Sequence, residues 1–210
     1  MITIKDRFNL DGKTAIITGS SKGIGKAIAK AFAECGATVV ISSRKQDACE
    51  EVVAEFKVLG LKAVAISCHV GDIESRKKLV EKTIAQCGGI DILVNNAATN
   101  PVYGPIEDAP FDAFDKIMNI NVKAPWDLGN KCLESMKSRG GGSIINISSI
   151  EGEIPGYGLG LYSTSKAAIS MLTKNQAKEW GRHNIRVNAI CPGLIQTKFS
   201  TALWTDDKVM

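Results

Sequence analysis

The stretch that most constrains this chain lies near its N-terminus, where Thr14-Ala15-Ile16-Ile17-Thr18 runs into Gly19-Ser20-Ser21-Lys22-Gly23-Ile24-Gly25. The first five residues are mostly apolar or β-branched and follow the turn-like Asp11-Gly12-Lys13, which predicts a buried strand. Beyond the glycines, Ile24, Ala27, Ile28, Ala31 and Phe32 recur at helical spacing until Gly36. A strand, a glycine turn and a helix in that order let backbone approach a pyrophosphate at the positive end of the helix dipole. The turn therefore fits a dinucleotide. A triphosphatase-type phosphate loop needs four residues between its glycines and a Ser or Thr after Gly-Lys. Here five residues separate Gly19 from Gly25, and Ala27 follows Lys26. A plain glycine turn between strand and helix is the bland alternative.

The pattern then repeats. Residues 38–42 read as a second strand, 46–59 as a helix, 63–68 as a third strand, 73–87 as a helix and 92–95 as a fourth strand. Residues 111–119 and 122–139 read as two helices joined through Asn121, 143–147 as a fifth strand, 162–182 as a helix and 186–190 as a sixth strand. Such alternation with short loops predicts an α/β fold, a doubly wound parallel sheet with helices on both faces in a single domain. At 210 residues, 44% hydrophobic and 23% charged, the chain has the make-up of one ordinary globular domain.

Other function classes are disfavoured by composition. A net charge of +4 with basic residues spread along the chain gives no reason to expect a nucleic acid or membrane partner. The segment 1–11 carries Lys5, Asp6 and Arg7 and no continuous apolar run, so neither a signal peptide nor a span is expected there. The six cysteines lie far apart without a Cys-x-x-Cys pair, and only His69 and His183 could join them as ligands. Reduced thiols in a cytoplasmic protein are expected, and no metal site.

Which dinucleotide is expected follows from the end of the second strand. An acidic residue there would receive the ribose 2′-hydroxyl of NAD, but the chain has Ser43-Arg44. Arg44 offers a fork of donors for a 2′-phosphate and Lys22 a second positive charge, so NADP(H) is expected; ordinary solvated cations are the alternative. Asn96-Ala97-Ala98, after the fourth strand, are small enough to lie close to a ligand. Ser148-Ser149 follow the fifth strand at the edge where ligands bind in such sheets, although a serine there can equally finish strand hydrogen bonds. Finally, Tyr162-Ser163-Thr164-Ser165-Lys166 places a phenol and an ammonium four apart on one helix face. A nearby cation favours the phenolate and would bring proton transfer within reach of neutral pH; a solvated helix face is the alternative.

Taken in order, these motifs resemble the short-chain dehydrogenase/reductase family over nearly the whole chain. Thr18 to Gly25 resembles its cofactor turn. Asn95-Asn96-Ala97-Ala98 resembles its Asn-Asn-Ala-Gly element, with alanine replacing the last glycine, and Asn121 its active-site asparagine. Ser149 precedes Tyr162 by thirteen residues as the family's serine does, and Lys166 completes the tetrad. Pro192-Gly193, with Ile195 and Thr197, resembles the element that holds the nicotinamide carboxamide. Cys68-His69-Val70-Gly71 and residues 96–101 resemble a carbonyl-reductase branch. His69 stands where most members carry an aspartate near the adenine, which leaves the Val70 backbone for that contact.

The resemblance implies a single-domain Rossmann fold and an NADP-dependent oxidoreductase interconverting a ketone or aldehyde and an alcohol. It implies a cofactor site of Gly19, Ser21, Lys22, Gly23, Ile24, Ser43, Arg44, His69, Val70, Asn96, Ala97, Ala98, Tyr162, Lys166, Pro192, Gly193, Ile195 and Thr197. In the implied mechanism Tyr162 is the general acid/base, Ser149 binds the carbonyl oxygen, Lys166 lowers the Tyr162 pKa and holds the nicotinamide ribose, and Asn121 anchors a relay water. Homodimers or homotetramers are implied through the helices at 122–139 and 162–182. Family members continue past the equivalent of Met210 into a further strand, so the usual C-terminal strand is expected to be absent here. A peroxisomal address stays open. A nucleotide-sugar epimerase or dehydratase shares Tyr-x-x-x-Lys, but such relatives are usually longer, with a different glycine spacing. A regulatory cofactor-binding protein that has lost catalysis is the reading from another class. The loops 99–110, 151–161 and 194–210 are expected to shape the substrate pocket.

Overall fold

A computed structural model describes residues 7–197 and residue 200. Six parallel strands form one sheet: β1 (Thr14–Thr18), β2 (Thr38–Ser42), β3 (Ala63–Ala65), β4 (Ile92–Asn95), β5 (Gly142–Ile147) and β6 (Ile185–Ile190), in the order β3-β2-β1-β4-β5-β6. The helices between them are α1 (Gly23–Glu34), α2 (Gln46–Val58), α3 (Ile73–Cys87), α4 (Phe111–Met118), α5 (Ala124–Ser138) and α6 (Gly160–Trp180).

Alternation along the strands builds two cores. On β1, Ile16 packs with Leu79 and Val80 of α3, Leu128 and Met136 of α5 and Trp180 of α6. Its neighbours Ala15 and Ile17 point to the opposite face, among Ala29 and Ala33 of α1 and Val52 and Phe56 of α2. Ala15, Ile16 and Ile17 are fully buried, as a strand covered on both sides requires. The chain winds outward from β1 to β3, then returns to β4 beside β1 and winds the other way. The crevice where ligands bind in such sheets lies at that reversal, at the carboxyl ends of β1 and β4.

Several boundaries differ from expectation. The third strand spans Ala63–Ala65 instead of reaching residue 68, although Ile66 N and Cys68 N still donate to Ile41 O (3.1 Å) and Ser43 O (2.8 Å), while Ser67 N is taken by Gln46 Oε1 at 2.9 Å. The helices expected at 111–119 and 122–139 form one continuous path, with a π-helical turn, Asn119–Lys123, between α4 and α5. Helix α6 begins at Gly160, two residues before Tyr162, and ends at Trp180 in a tighter turn, Gly181–His183. The helix α3 is capped as sequence rules favour. Asp72 accepts from Ser75 N, an N-cap worth about 1 kcal/mol, and left-handed Gly88 (φ 77°) ends it. No helix of the described residues is long and apolar enough to cross a membrane.

Candidate active site

The residues singled out in the sequence converge on the carboxyl edge of β1, β4 and β5. The glycine turn is built against β4. Thr18 Oγ1 accepts from Asn96 N (3.0 Å) and Ala97 N (3.1 Å), and Asn96 Nδ2 donates to Thr18 O (2.9 Å) and Gly19 O (3.3 Å). A Cβ on Gly25 would lie 2.5 Å from both Gly19 O and Asn96 Nδ2, and one on Gly19 would lie 2.9 Å from Asn96 Nδ2. The glycines are therefore required by this close approach. Gly19 and Gly23 also have positive φ, 68° and 56°.

This cradle fits the pyrophosphate of a dinucleotide. Helix α1 starts behind it with no side-chain cap and no acid in its first turn, which leaves its N–H groups and dipole for an anion. Lys22 is exposed there, with Ser21 and Ile24 half-buried beside it. Ser42 N donates to Ser20 Oγ (2.8 Å) and Ser20 N to Ser42 O (3.1 Å), so the end of β2 is tied to the turn. Arg44 follows, exposed and in no ion pair among the described residues. Ser43 Oγ faces inward, 3.2 Å from Cys49 Sγ.

His69 folds back on its own turn, where Nδ1 accepts from Gly71 N at 3.1 Å. Val70 O accepts from Arg76 Nη1 at 2.5 Å, and Arg76 Nε donates to Asp127 Oδ2 at 2.5 Å, joining α3 to α5. Ile195 is exposed on the facing segment, and Ile150 N donates to Pro192 O at 3.0 Å. Gly193 has open space around its Cα, whereas a Cβ on Gly23 would lie 3.5 Å from Thr197 Cγ2, so Thr197 sits against the glycine turn. Of the loop expected at 194–210, residues 198–199 and 201–210 lie outside the described residues.

The residues expected to transfer protons meet at the end of β5. The two serines divide the roles left open by the sequence. Ser148 Oγ donates to Lys166 O (2.9 Å) and contacts Ser170 Oγ (3.0 Å), a packing role. Ser149 Oγ accepts from Glu151 N (3.1 Å) and hydrogen-bonds to Tyr162. Lys166 is 4% exposed; its ammonium donates to Ile147 O at 2.7 Å and stands 5.4 Å from the centre of the Tyr162 ring. Burial pulls its pKa down to about 8, with Cys191 opposing weakly.

The expectation that Lys166 lowers the Tyr162 pKa is corrected here. Burial raises it, the Ser149 hydrogen bond opposes, and the Glu151 charge adds to the rise. The physical reason is that Lys166 is itself desolvated and directs its ammonium to the Ile147 carbonyl. Asn121 is held by its side chain. Buried in the π-helical turn, it accepts from Thr99 N (2.9 Å) through Oδ1, and its Nδ2 donates to Thr99 O and Ser165 Oγ, both at 3.0 Å. Both side-chain N–H donors are thus used to tie Thr99 to α6, and Ser165 Oγ donates in turn to Tyr162 O at 2.7 Å.

A family model described as short chain dehydrogenase matches residues 13–208. The chain belongs to this family. Short chain dehydrogenases are dehydrogenases and reductases that use a nicotinamide dinucleotide, which agrees with the glycine cradle and the Tyr162 centre. The chain is 47% identical over 197 residues to dehydrogenase/reductase SDR family member 4 of Bos taurus, covering 94% of this chain and 71% of that one. It is 48% identical to the Oryctolagus cuniculus protein of the same name, covering 94% and 76%. Among solved structures, a gluconate 5-dehydrogenase from Burkholderia cenocepacia in complex with NADP and tartrate superposes with a TM-score of 0.93. It is 32% identical, covering 99% of this chain and 81% of that one. A 7α-hydroxysteroid dehydrogenase complexed with NADH and 7-oxo glycochenodeoxycholic acid gives 0.92 at 38% identity, covering 97% and 78%.

Three residues that shape this short chain dehydrogenase site were missed in the sequence, and a fourth, Thr18, was seen only as the start of the cofactor turn. Thr18 carried a signal, a hydroxyl ending the strand before the glycines. Arg76, Asp127 and Glu151 look like ordinary helix or loop charges. Their partners lie 51 residues away for the ion pair, and five and twelve away for Glu151, and no short spacing exposes these pairings.

Proposed function

We propose that this protein is an NADP(H)-dependent oxidoreductase that interconverts a ketone or aldehyde and an alcohol. The observation that carries this reading is the Ser149–Tyr162 hydrogen bond at the end of β5, on the edge that also holds the glycine cradle. When bound, the dinucleotide supplies or accepts the hydride. Tyr162, a phenol that is neutral near pH 7 and whose pKa burial raises further, gives its proton to the carbonyl oxygen during reduction. Ser149 keeps its hydroxyl proton for the Tyr162 oxygen or the substrate oxygen, since Glu151 N occupies an acceptor site. Lys166, held by Ile147, would meet the nicotinamide ribose, and Pro192, Gly193, Ile195 and Thr197 would bound the nicotinamide end. Ser43, His69, Val70, Ala97 and Ala98 complete the expected adenosine and ribose contacts.

Arg44 and Lys22, without an acid at the end of β2, favour a 2′-phosphate. The two solved relatives carry NADP and NADH respectively, so the choice rests on these residues. Tyr103, Ile106, Ile154 and Tyr157 are exposed on the two loops beside the centre, which fits a substrate with an apolar body. Exposed Trp126 on α5 and Met171 on α6, with Phe111 and Phe114 on α4, suit a face shared by subunits of a homodimer or homotetramer. All six cysteines are unpaired thiols, which fits the cytoplasm or a peroxisome.

The test is NADPH oxidation with a panel of ketones, aldehydes and quinones. Turnover by wild type, and a preference moved toward NADH in Arg44→Asp, support the reading. A protein that binds NADPH but turns over no carbonyl supports the regulatory alternative. An unchanged preference removes Arg44 from the 2′-phosphate site.

A further inference from the structure

Glu151 lies in the short turn Ile150–Gly152 that follows Ser149, and it is used three times by its neighbours. Its backbone N–H donates to Ser149 Oγ at 3.1 Å. Its carboxylate oxygen Oε2 accepts from Gly156 N at 2.6 Å and from Ser163 Oγ at 3.1 Å. Ser163 follows Tyr162 on α6, so this one carboxylate clasps the 152–159 loop to the helix that carries the phenol. The clasp is tight: a Cβ on Gly156 would lie 2.8 Å from Glu151 Oε2. The same loop is tied to the opposite lip, where Gly104 N donates to Gly158 O at 3.1 Å. Among the described residues no cation pairs with Glu151, so its charge is left to act on the pocket.

We propose that Glu151 is a positioning and specificity residue. Its carboxylate fixes the 152–159 lip of the pocket, its N–H orients the Ser149 hydroxyl toward Tyr162, and its negative charge selects against anionic carbonyl substrates. The last point rests on the oxidoreductase reading; the first two do not. The other ionisable groups around Tyr162 are Lys166 on the same helix and Cys191 beyond β6, beside Lys166, with Tyr103 on the facing loop against Gly158. Lys166 is anchored to Ile147 O, so Glu151 is the group whose charge is removable without disturbing that anchor.

The experiment compares Glu151→Gln, which keeps an oxygen acceptor but loses the charge, with Glu151→Ala, which loses both. Amide hydrogen exchange of residues 152–159 is expected to quicken about tenfold in Glu151→Ala and to stay within about twofold in Glu151→Gln. The phenolate titration of Tyr162, read as the absorbance difference from the matching Tyr162→Phe protein, is expected to move to lower pH in Glu151→Gln. With NADPH, Glu151→Gln is expected to raise kcat/KM for 4-carboxybenzaldehyde relative to benzaldehyde by about fivefold. Unchanged exchange in Glu151→Ala, or an unmoved Tyr162 titration, overturns the proposal. Should Glu151→Ala not fold, Ser163→Ala, which removes one clasp donor, must quicken exchange by a smaller factor. If wild type reduces neither aldehyde, the oxidoreductase reading fails, while exchange and titration still decide the role of Glu151.

Discussion

Lys166 reaches from α6 to the last residue of β5, where its ammonium donates a 2.7 Å hydrogen bond to the Ile147 carbonyl oxygen. The bond fixes the cation at 5.4 Å from the Tyr162 ring centre, but it does not offset the loss of water around a side chain 4% exposed. The pKa falls from 10.5 to about 8. Charged Lys166 is therefore a cost to the fold that disappears when the amine loses its proton.

Between about pH 8 and 10.5 the unfolded chain binds more protons at this group than the folded one, so its contribution to stability rises with pH across that window. Buried thiols act the other way, since Cys68, Cys87 and Cys132 hold their protons more tightly when folded. The clean readout is a difference. Unfolding free energies from urea titrations of wild type minus Lys166→Met should climb from pH 8 to 10.5, and a flat difference would show that burial does not depress Lys166.

The Arg76–Asp127 pair makes a second prediction. Arg76 is 1% exposed and also supports Val70 O beside the expected adenine site. Removing one partner of a buried pair strands the other, so Asp127→Asn should lower unfolding free energy by about 3–5 kcal/mol. Arg76→Met should cost less, because Lys131 Nζ, 3.2 Å from Asp127 Oδ1, keeps a counter-charge in place. Arg76→Met should nonetheless weaken NADPH binding through Val70, whereas Asp127→Asn should act mainly on stability. Urea denaturation and equilibrium NADPH fluorescence separate the two effects.

The glycine cradle gives a third. A methyl at Gly25 meets backbone oxygen and Asn96 Nδ2 at 2.5 Å, with no flexible atom to yield on the Gly19 side. Gly25→Ala should cost about 1–3 kcal/mol and weaken NADPH binding at least tenfold. Gly181→Ala, with nothing within 4 Å, serves as the control and should leave binding unchanged.

How far the sequence foretold this site depended on the range of each interaction. Strands β1, β2 and β4 match their expected bounds, because each is an apolar run closed by Gly, Ser-Arg or Asn-Asn and is buried on its own account. The Tyr162–Lys166 spacing was legible because both residues sit on one helix. Their electrostatics were not, since burial and the Glu151 charge both come from tertiary packing. The π-helical turn at Asn121 was equally hidden. The sequence shows two helical runs meeting at Asn121, and the extra residue that joins them without a break is fixed by contacts with Thr99 and Ser165, 22 and 44 positions away. Clasps such as Glu151 to Gly156 and Ser163 belong to tertiary packing, for which the loop offers no periodic signal.

The proposed reaction has Tyr162 moving the proton while the glycine cradle holds the dinucleotide. It is tested most directly by single-turnover carbonyl reduction by NADPH-loaded Tyr162→Phe, with NADPH affinity measured on the same preparation. The phenol-to-phenyl change is expected to abolish nearly all turnover and to leave NADPH affinity within about twofold, because the phenol oxygen acts in the transition state. Substantial remaining turnover with intact NADPH binding would contradict it.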